Sequence, residues 1–327
     1  MKIILSKIHK FCIEDNIKNI HLSFTGGEIL TLGKEYLERL FKLCRMTLER
    51  KGRRLSLNIQ TNLTLMDKRF IQILKKFRVS VGTSFDVFGE QRKFKDGTPI
   101  DRVMIDKMLL MHKNNYPFYS IAVIHRHNYK KMPQIFDFYS KIFTDFHTLR
   151  VYPWSYKYSN EVSISHRNYI KYLKKMADRY LNQNNPKITV SNIDAYVKLL
   201  TRTPGTMLCA FSRNCIFNYL FVQNNGDIYP CCDLRYKEFY IGNILKDPLK
   251  VIFEAPIVKR LGKREKNIRK ECSDCKYLEI CSGGCPAWSY HESGAYLTRS
   301  KFDCQVNKAM FKYIGKILKN KGYKVLI

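Results

Sequence analysis

Long hydrophobic runs are missing from this 327-residue sequence. The apolar stretch nearest the N-terminus, residues 3–5, is followed at once by Lys7 and Lys10. It is therefore too short for the apolar region of a signal peptide. No other stretch approaches the roughly 20 apolar residues that span a bilayer. We therefore expect a cytoplasmic protein that has no membrane partner.

Acidic residues are also scarce, since 28 Asp and Glu face 58 Lys and Arg, which gives a formal net charge of +30. Such an excess is typical of proteins that bind an acidic partner, such as nucleic acid, an anionic membrane surface or an acidic peptide. Here the basic residues are spread along the chain rather than gathered into one stripe. We interpret them mainly as solvated lysines, and we do not expect nucleic acid to be the partner.

Cysteine is almost absent from the first 208 residues, which contain only Cys12 and Cys44. Both lie in helical patterns and are expected to be buried small apolar residues. The other nine of the eleven cysteines lie between Cys209 and Cys304, and four of them form a C-x2-C-x5-C-x3-C pattern from Cys272 to Cys285. Cytosolic thiols stay reduced, so this clustering predicts a metal or redox module rather than disulfides.

The first half of the chain alternates between extended and helical patterns. We predict strands at residues 20–24, 55–59, 79–85, 119–124 and 148–152, and helices at 1–15, 32–49, 67–76, 100–114 and 132–142. Strands that alternate with helices indicate repeated βα units and a parallel sheet. In such folds the functional residues lie at the carboxyl ends of the strands.

Polar residues follow these predicted strands. After the first strand, the glycines of Thr25-Gly26-Gly27-Glu28 let the backbone turn tightly and approach a ligand, and the glutamate can accept hydrogen bonds. The later strand ends carry Gln60-Thr61-Asn62, Ser84-Phe85-Asp86, Arg126 and Asn128. His125 and His127 flank Arg126, and we interpret them as hydrogen-bonded residues rather than as a metal pair.

These motifs resemble those of the radical S-adenosylmethionine enzymes with a C-terminal SPASM module, a group of peptide and protein maturases that includes the anaerobic sulfatase maturases. Gly26-Gly27-Glu28-Ile29 is similar to the family's Gly-Gly-Glu-Pro loop, with isoleucine in place of proline. Residues 60–62 resemble its Gln-Thr-Asn-Gly segment, and residues 84–86 resemble its Ser-Leu-Asp. Tyr229-Pro230-Cys231-Cys232, followed by Ile241-Gly242-Asn243-Ile244, is typical of SPASM modules.

The resemblance covers nearly the whole chain and implies an α/β fold. We expect a partial, TIM-like (β/α) barrel that lacks its first strand, followed by a small cysteine-rich SPASM module. The implied boundaries are 1–155 for the partial barrel, 156–204 for a connecting helical region, 205–310 for the SPASM domain and 311–327 for a C-terminal helix or tail.

The resemblance also implies two auxiliary 4Fe–4S clusters. The ligands of the first would be Cys209, Cys215, Cys231 and Cys285, and those of the second would be Cys272, Cys275, Cys281 and Cys304. Either member of the Cys231-Cys232 pair could be the ligand. Iron–sulfur clusters are the expected occupants, and zinc is the main competitor for thiolates at this spacing.

The C-x3-C-x2-C loop that defines the superfamily is absent, and only Cys12 precedes Gly26. In complete members three thiolates of this loop hold the 4Fe–4S cluster that binds S-adenosylmethionine. Two explanations stay open: an N-terminally truncated product, which we favour, or a degenerate member that has lost radical initiation. We expect the chain as written not to cleave S-adenosylmethionine.

The family's activity implies that a 5′-deoxyadenosyl radical abstracts hydrogen from a peptide or protein, which could be acidic. A reductant such as flavodoxin or ferredoxin would be a further partner. The expected cofactor-binding residues are Gly26, Gly27, Glu28, Asn62, Ser84, Asp86 and Arg126. Asp233 would correspond to a proposed proton acceptor, although Cys232 shifts its register by one. The alternative is a catalytically silent iron–sulfur protein that binds a peptide or nucleic acid.

Overall fold

The structure is a computed structural model that describes residues 1–50, 52–88, 91–142, 144–151, 159–183, 188–205, 208–212, 215 and 219–325. The chain divides into two compact units. The first comprises Met1–Val151 and Arg179–Ser191, and the second comprises Tyr152–Asp178 and Asn192–Ile327. The nine clustered cysteines therefore all belong to the second unit.

A five-stranded parallel sheet forms the framework of the first unit, with its strands side by side in chain order. The strands are β1 (Asn19–Phe24), β2 (Arg54–Gln60), β3 (Val79–Ser84), β4 (Tyr119–Ile124) and β5 (Phe146–Arg150). Parallel neighbours require a crossover connection, and a helix supplies each one. The helices are α1 (Lys2–Glu14), which precedes β1, and then α2 (Lys34–Leu48), α3 (Lys68–Lys76), α4 (Asp101–Lys113) and α5 (Met132–Lys141). The predicted βα repeat is confirmed.

Helix α3 shows how the local sequence sets these elements. The Asp67 carboxylate accepts a hydrogen bond from the Phe70 N–H at 2.8 Å, which caps the helix at its first turn. Phe70, Ile73 and Leu74 are buried at helical spacing, so one face packs into the core. Cys12 and Cys44 are buried in α1 and α2 as predicted, and burial raises the pKa of Cys44 to about 11.

The last strand of the sheet differs from the prediction of 148–152. Strand β5 begins two residues earlier, at Phe146, whose N–H donates to the Thr189 carbonyl at 3.0 Å while its backbone bridges to Val190. The polar residues Thr148 and Arg150 are buried in this strand. The prediction missed Phe146 and His147, because Phe146 joins the strand through backbone contacts with Thr189 and Val190, which are distant in the chain. Residue 152, the predicted strand end, lies outside the described residues.

The second unit combines short helices with a small antiparallel sheet. Its strands are β6 (Phe221–Val222), β7 (Asp227–Tyr229) and β8 (Gly242–Asn243). The helices that follow β5 in the chain are α6 (Ser159–Val162), α7 (His166–Leu181), α8 (Ser191–Thr201), α9 (Leu249–Phe253), α10 (Pro256–Gly262), α11 (Arg264–Glu271), α12 (Leu278–Cys281), α13 (Pro286–Ser293) and α14 (Lys301–Asn320). The boundary predicted at residue 310 falls inside α14, which runs without interruption.

The described helices can also be compared with the dimensions of a bilayer. Within the ranges given above, no helix combines the length and the apolar character that crossing a membrane requires.

A partly buried histidine in β5, His147, gives the first unit a predictable response to acid. The Nδ1 atom of His147 is shielded from solvent and has no hydrogen-bond partner among the described residues. Burial lowers the pKa of His147 from its usual value of 6.5 to about 4. As the pH falls below 6.5, the unfolded chain therefore binds a proton before the folded chain does, and the unfolded state is favoured.

We expect the free energy of unfolding to be fully retained above pH 6.5 and to fall by about 1–3 kcal/mol towards pH 4 because of this group. Urea unfolding of the wild type and of His147→Gln at pH 7 and pH 4.5 measures the effect. The variant should lose less stability on acidification than the wild type, whereas His21→Gln, at an exposed position, should behave like the wild type. An identical pH response of all three proteins would contradict the assignment.

Candidate metal centres and a strand-end site

The loop after β1 leaves its backbone open to a ligand. Gly26 and Gly27 have φ angles of +95° and +56°, in the region that favours glycine. An added Cβ at either position would meet no atom within 4 Å among the described residues. The N–H groups of this turn are thus sterically accessible, as a loop that contacts a polar ligand requires.

Glu28 joins the loops that follow β1 and β2. Its Oε1 accepts hydrogen bonds from the Thr61 hydroxyl at 2.6 Å and from the Leu30 N–H at 3.0 Å. Its Oε2 accepts one from the Asn62 N–H at 2.7 Å. The carboxylate therefore fixes the relative position of two strand-end loops, a role that the sequence did not predict. Direct contact between Glu28 and a cofactor remains a prediction.

The ends of β2 and β3 are joined by Gln60 and Ser84. The Gln60 amide Nε2 donates to the Ser84 hydroxyl at 3.1 Å. Its carbonyl oxygen occupies the space that a Cβ on Gly82 would need, so a larger residue at position 82 would have to displace the Gln60 amide. The Asn62 side chain turns back on its own loop, because its Oδ1 accepts from the Thr64 N–H at 3.0 Å and from the Thr64 hydroxyl at 2.8 Å.

The ends of β3 and β4 are held by Asp86 and Asn128, which are both buried. The Asn128 Nδ2 donates to the Asp86 carbonyl at 2.6 Å, and the Asp86 carboxylate pairs with Arg92 at 3.1 Å. Arg126 is exposed, and no ion pair of its side chain is found in the part of the chain that the structure describes. Arg126 is thus the guanidinium at this edge that is accessible to an anionic group.

His125 is buried beside these polar residues, and its ring accepts a hydrogen bond within the turn that follows β4. Its Nδ1 accepts a hydrogen bond from the His127 N–H at 3.2 Å, which makes Nε2 the protonated nitrogen. Burial lowers the pKa of His125, so the ring is neutral. Nε2 is itself buried and finds no hydrogen-bond partner among the described residues. The ring is therefore only partly satisfied, and the interpretation of the two histidines as hydrogen-bonded residues rather than as a metal pair stays a prediction.

In the second unit, Cys272, Cys275, Cys281 and Cys304 line a single cavity that contains about 350 Å³ of empty space, including some open solvent. Cys272 caps the C-terminus of α11, Cys281 ends α12, and Cys304 lies in the first turn of α14. The other walls include Tyr277, Leu278 and Phe311. Four thiols around a mostly apolar space fit the requirements of an iron–sulfur cluster.

Burial controls the protonation of these thiols. It raises the pKa of Cys281 to about 11, opposed by the Asn307 amide, which donates to the Cys281 sulfur at 3.5 Å. Burial also raises the pKa of Cys272, opposed by the positive charge of Arg299. Metal ligation requires thiolates, so loading of this cavity must release protons. Asn307 and Arg299, which sequence reasoning did not identify, favour the charged form.

A second group of thiols gathers around Cys285. This buried residue is the N-cap of α13, although its sulfur makes no capping hydrogen bond. Burial raises the pKa of Cys285, and nearby negative charge on Cys209 and Cys215 raises it further. The structure therefore brings three members of the first predicted ligand set near one another.

The Cys231-Cys232 pair lies beside Asp233, and the ligand atoms of these three residues are all within 4.8 Å of one another. Cys231 is half-buried, whereas Cys232 is exposed. The Asp233 N–H donates to the Cys231 sulfur at 3.4 Å. A hydrogen bond with Cys231 is the main cause that raises the pKa of Cys232, and burial contributes second. These contacts make Cys231 the better placed thiolate, although its ligand role remains a prediction.

Arg264 connects the two thiol groups, and no sequence motif had pointed to it. It is only 6% exposed, at the start of α11. Its Nη2 donates to the carbonyls of Gly283 and Gly284, both at 3.0 Å, and its Nη1 donates to the Ser282 carbonyl at 3.3 Å. These carbonyls belong to the turn between Cys281 and Cys285, which are assigned to different clusters.

The turn has an unusual backbone that suits this contact. Ser282, Gly283 and Gly284 have φ angles of +53°, +76° and +72°, so three successive residues are left-handed. Arg264 also donates to the carbonyls of Tyr296 at 3.1 Å and Thr298 at 3.4 Å, ahead of α14. Burial lowers the pKa of Arg264. Negative charge on nearby thiolates opposes this shift, and the charge of Cys285 has the largest opposing effect.

Comparison with known proteins gives this geometry its family context. Residues 209–276 match the SPASM family, an iron–sulfur cluster-binding domain. A cysteine-type anaerobic sulfatase-maturating enzyme of Clostridium perfringens strain 13 is 23% identical over 323 residues, which cover 95% of this chain and 85% of that protein. A serine-type anaerobic sulfatase-maturating enzyme of Klebsiella aerogenes is 23% identical over 285 residues, which cover 83% of this chain and 67% of that protein.

Among solved structures, native anSMEcpe with bound AdoMet and the Kp18Cys peptide aligns with a TM-score of 0.83 at 22% identity. The alignment covers 97% of this chain and 89% of that one. The chain is a radical SAM/SPASM maturase homologue. The predicted fold class of this homologue, a partial TIM-like barrel sheet with a SPASM domain, is confirmed.

The Arg264 contacts predict a large effect of substitution. In Arg264→Met, five backbone carbonyls lose their donor, and each unsatisfied buried acceptor costs about 1–3 kcal/mol. We expect the free energy of unfolding to fall by at least about 3 kcal/mol, measured by anaerobic denaturant unfolding. The control is Arg269→Met on the same helix, where exposed pairs with Glu265 and Glu279 contribute no more than about 1 kcal/mol. Equal effects of both substitutions would contradict the role given to Arg264.

Proposed function

We propose that this homologue contributes to the radical S-adenosylmethionine-dependent modification of a peptide or protein and carries two auxiliary 4Fe–4S clusters. The observation that carries the proposal is the convergence of Cys272, Cys275, Cys281 and Cys304 on one cavity, from three helices and a turn. The chain spacing alone does not require Cys304 to join the other three. The same four residues are the set that the family resemblance implies.

The fit of these residues to the proposed clusters rests on their chemistry. Cys272, Cys275, Cys281 and Cys304 would hold one cluster, and Cys209, Cys215, Cys231 and Cys285 would hold the other. The hydrogen bond from Asn307 and the positive charges of Arg299 and Arg264 would stabilise the thiolates. Zinc prefers the same ligand type, so a metal analysis must separate the two possibilities.

The carboxyl edge of the parallel sheet offers groups that suit S-adenosylmethionine. The open turn at Gly26 and Gly27 can donate backbone N–H groups, and the exposed Arg126 can bind a carboxylate. Ser84 can contact a ribose hydroxyl, while Glu28, Asn62 and Asp86 hold the loops in place. When bound and reduced, S-adenosylmethionine supplies the hydrogen-abstracting chemistry.

The proposed substrate is a peptide or protein side chain. The names of the Clostridium and Klebsiella relatives describe sulfatase maturation, and the anSMEcpe structure contains a peptide. Asp233 is the candidate proton acceptor, since it is exposed beside the thiol group of Cys231. The printed sequence contains no C-x3-C-x2-C spacing. We therefore propose that turnover needs this segment in addition to the residues described.

The first test is metal analysis after anaerobic reconstitution. We expect about eight iron and eight sulfide per chain for two 4Fe–4S clusters, with a visible spectrum. Cys281→Ala and Cys285→Ala should each lose about half of the iron, because they belong to different ligand sets. The control Cys12→Ala removes a buried thiol outside both sets and should keep the full content. Zinc without iron, or a colourless protein, would contradict the cluster assignment.

The second test restores the missing loop. A chimera joins the C-x3-C-x2-C segment of the Clostridium relative to this chain, and its control carries serines at the three cysteine positions. We expect 5′-deoxyadenosine from S-adenosylmethionine and peptide only with the cysteines. Asp233→Asn should lower peptide modification by about 100-fold or more, as for loss of a general base, without loss of iron. If the chimera binds all three metal clusters but cleaves no S-adenosylmethionine, the silent binding protein becomes the better explanation.

That alternative has specific support in the net charge of +30. A catalytically silent iron–sulfur protein would still bind a peptide or nucleic acid through its basic surface. Salt-sensitive binding of nucleic acid by the reconstituted chain would favour it over the enzyme.

A further inference from the structure

Helix α14 carries three exposed lysines on one face, Lys308, Lys312 and Lys316, which we call the lysine stripe. Residues four apart are neighbours on a helix surface, and like charges at this spacing destabilise the helix. No ion pair of these three side chains is found within the described ranges. The lysine stripe therefore does not contribute to the stability of the helix.

An open groove adjoins the stripe. Its rim carries four lysines, and its floor contains the apolar or aromatic residues Leu200, Tyr277, Phe311 and Val325. The rim consists of Lys276, Lys312, Lys316 and Lys319. The groove contains about 590 Å³ of empty space, including some open solvent. An apolar floor inside a cationic rim suits a protein surface that presents carboxylates around a small apolar centre.

The groove also lies next to one of the candidate metal centres. Tyr277 and Phe311 line both the groove and the cavity of Cys272, Cys275, Cys281 and Cys304. Their rings are stacked, with centroids 5.2 Å apart. Lys308, the first lysine of the stripe, lines the cavity itself. A partner in the groove would therefore be separated from the thiols by a single aromatic layer.

We propose that the lysine stripe and its groove dock an acidic one-electron carrier protein of the flavodoxin or ferredoxin type. The inference rests on the proposed function, because it requires a redox cluster in the adjoining cavity. In the proposed reaction, hydrogen abstraction leaves a substrate radical, and its one-electron oxidation would reduce the cluster held in the cavity. The oxidised carrier would then accept this electron at the interface, with no bond or proton exchanged. The charge complementarity fits electron-transfer encounters, whose interfaces are small and which depend on electrostatic steering.

Nucleic acid is the other acidic macromolecule that such lysines could contact, and the surroundings favour a protein. The rim consists of lysines, whose point charges lack the planar fork with which arginine recognises phosphate. The apolar floor would remain without a partner against a phosphate backbone. For an electron carrier, in contrast, the short distance between the groove and the thiol cavity would favour electron transfer.

The test compares two triple variants of the reconstituted protein with equal charge changes. The stripe variant is Lys308→Glu, Lys312→Glu and Lys316→Glu. The control is Lys259→Glu, Lys266→Glu and Lys270→Glu, at exposed positions of α10 and α11 in the same unit. Calorimetry at low salt measures the binding of oxidised flavodoxin, and stopped-flow absorbance measures its reduction by the pre-reduced protein. Circular dichroism checks that both variants remain helical.

We expect the stripe variant to weaken flavodoxin binding and slow its reduction by at least about tenfold, with little change in the control. Added salt should weaken binding of the wild type and the control. Equal weakening of both variants would overturn the inference, and so would tighter, stripe-dependent binding of a short DNA duplex.

The iron and sulfide content of each protein is counted before these measurements. A wild-type protein without iron overturns the proposed function and this inference together, whereas a fully loaded protein without stripe-dependent binding overturns only the docking surface.

Discussion

The buried guanidinium of Arg264 is the interaction on which the cysteine-rich unit depends. It donates to the carbonyls of a left-handed turn, residues 282–284, and to two carbonyls of the segment before α14. A buried cation is expensive unless all its donors find acceptors. The turn can adopt three successive positive φ angles because two of its residues are glycines, and its carbonyls then face the cation. One charge thereby fixes the distance between Cys281 and Cys285.

This constraint has a consequence for the two thiol groups. Cys281 lines the cavity with Cys272, Cys275 and Cys304, whereas Cys285 lies near Cys209 and Cys215. The turn between them is only three residues long, so a displacement of either thiol must move the other. The positions of the Cys281 and Cys285 thiols are therefore coupled through this turn. The positive charge of Arg264 also favours thiolates on both sides of the turn.

The carboxyl edge of the parallel sheet is also held together by side-chain hydrogen bonds, although each of these contacts is weaker than those of the buried Arg264 cation. Glu28 links the ends of β1 and β2, Gln60 links β2 and β3, and Asn128 links β3 and β4. Four strand ends are thus joined by side chains that use most of their hydrogen-bonding capacity on the protein itself. The exposed groups at this edge include the glycine turn and Arg126. The joined strand ends therefore pre-organise the edge for a ligand with a carboxylate and polar atoms.

Local patterns predicted the βα repeat, because alternation of apolar residues at periods of 2 and 3.6 depends only on neighbours in the chain. The start of strand β5 escaped this logic, since its first residue, Phe146, is held by backbone contacts with Thr189 and Val190, which are distant in the chain. The cysteine spacing likewise identified a metal module and brought Cys272, Cys275 and Cys281 together by proximity in the chain.

The sequence by itself therefore determined the βα architecture of the first unit, the inventory of thiols and the polar residues at the strand ends. Only the tertiary structure decided that Cys304 lines the same cavity as Cys272, Cys275 and Cys281, that Arg264 holds the turn between the two thiol groups, that Glu28 bridges two loops and that three lysines align beside the thiol cavity. These outcomes depend on burial and on hydrogen-bond direction between residues that are remote in the chain or that align only on a folded helix, and linear spacing does not encode them.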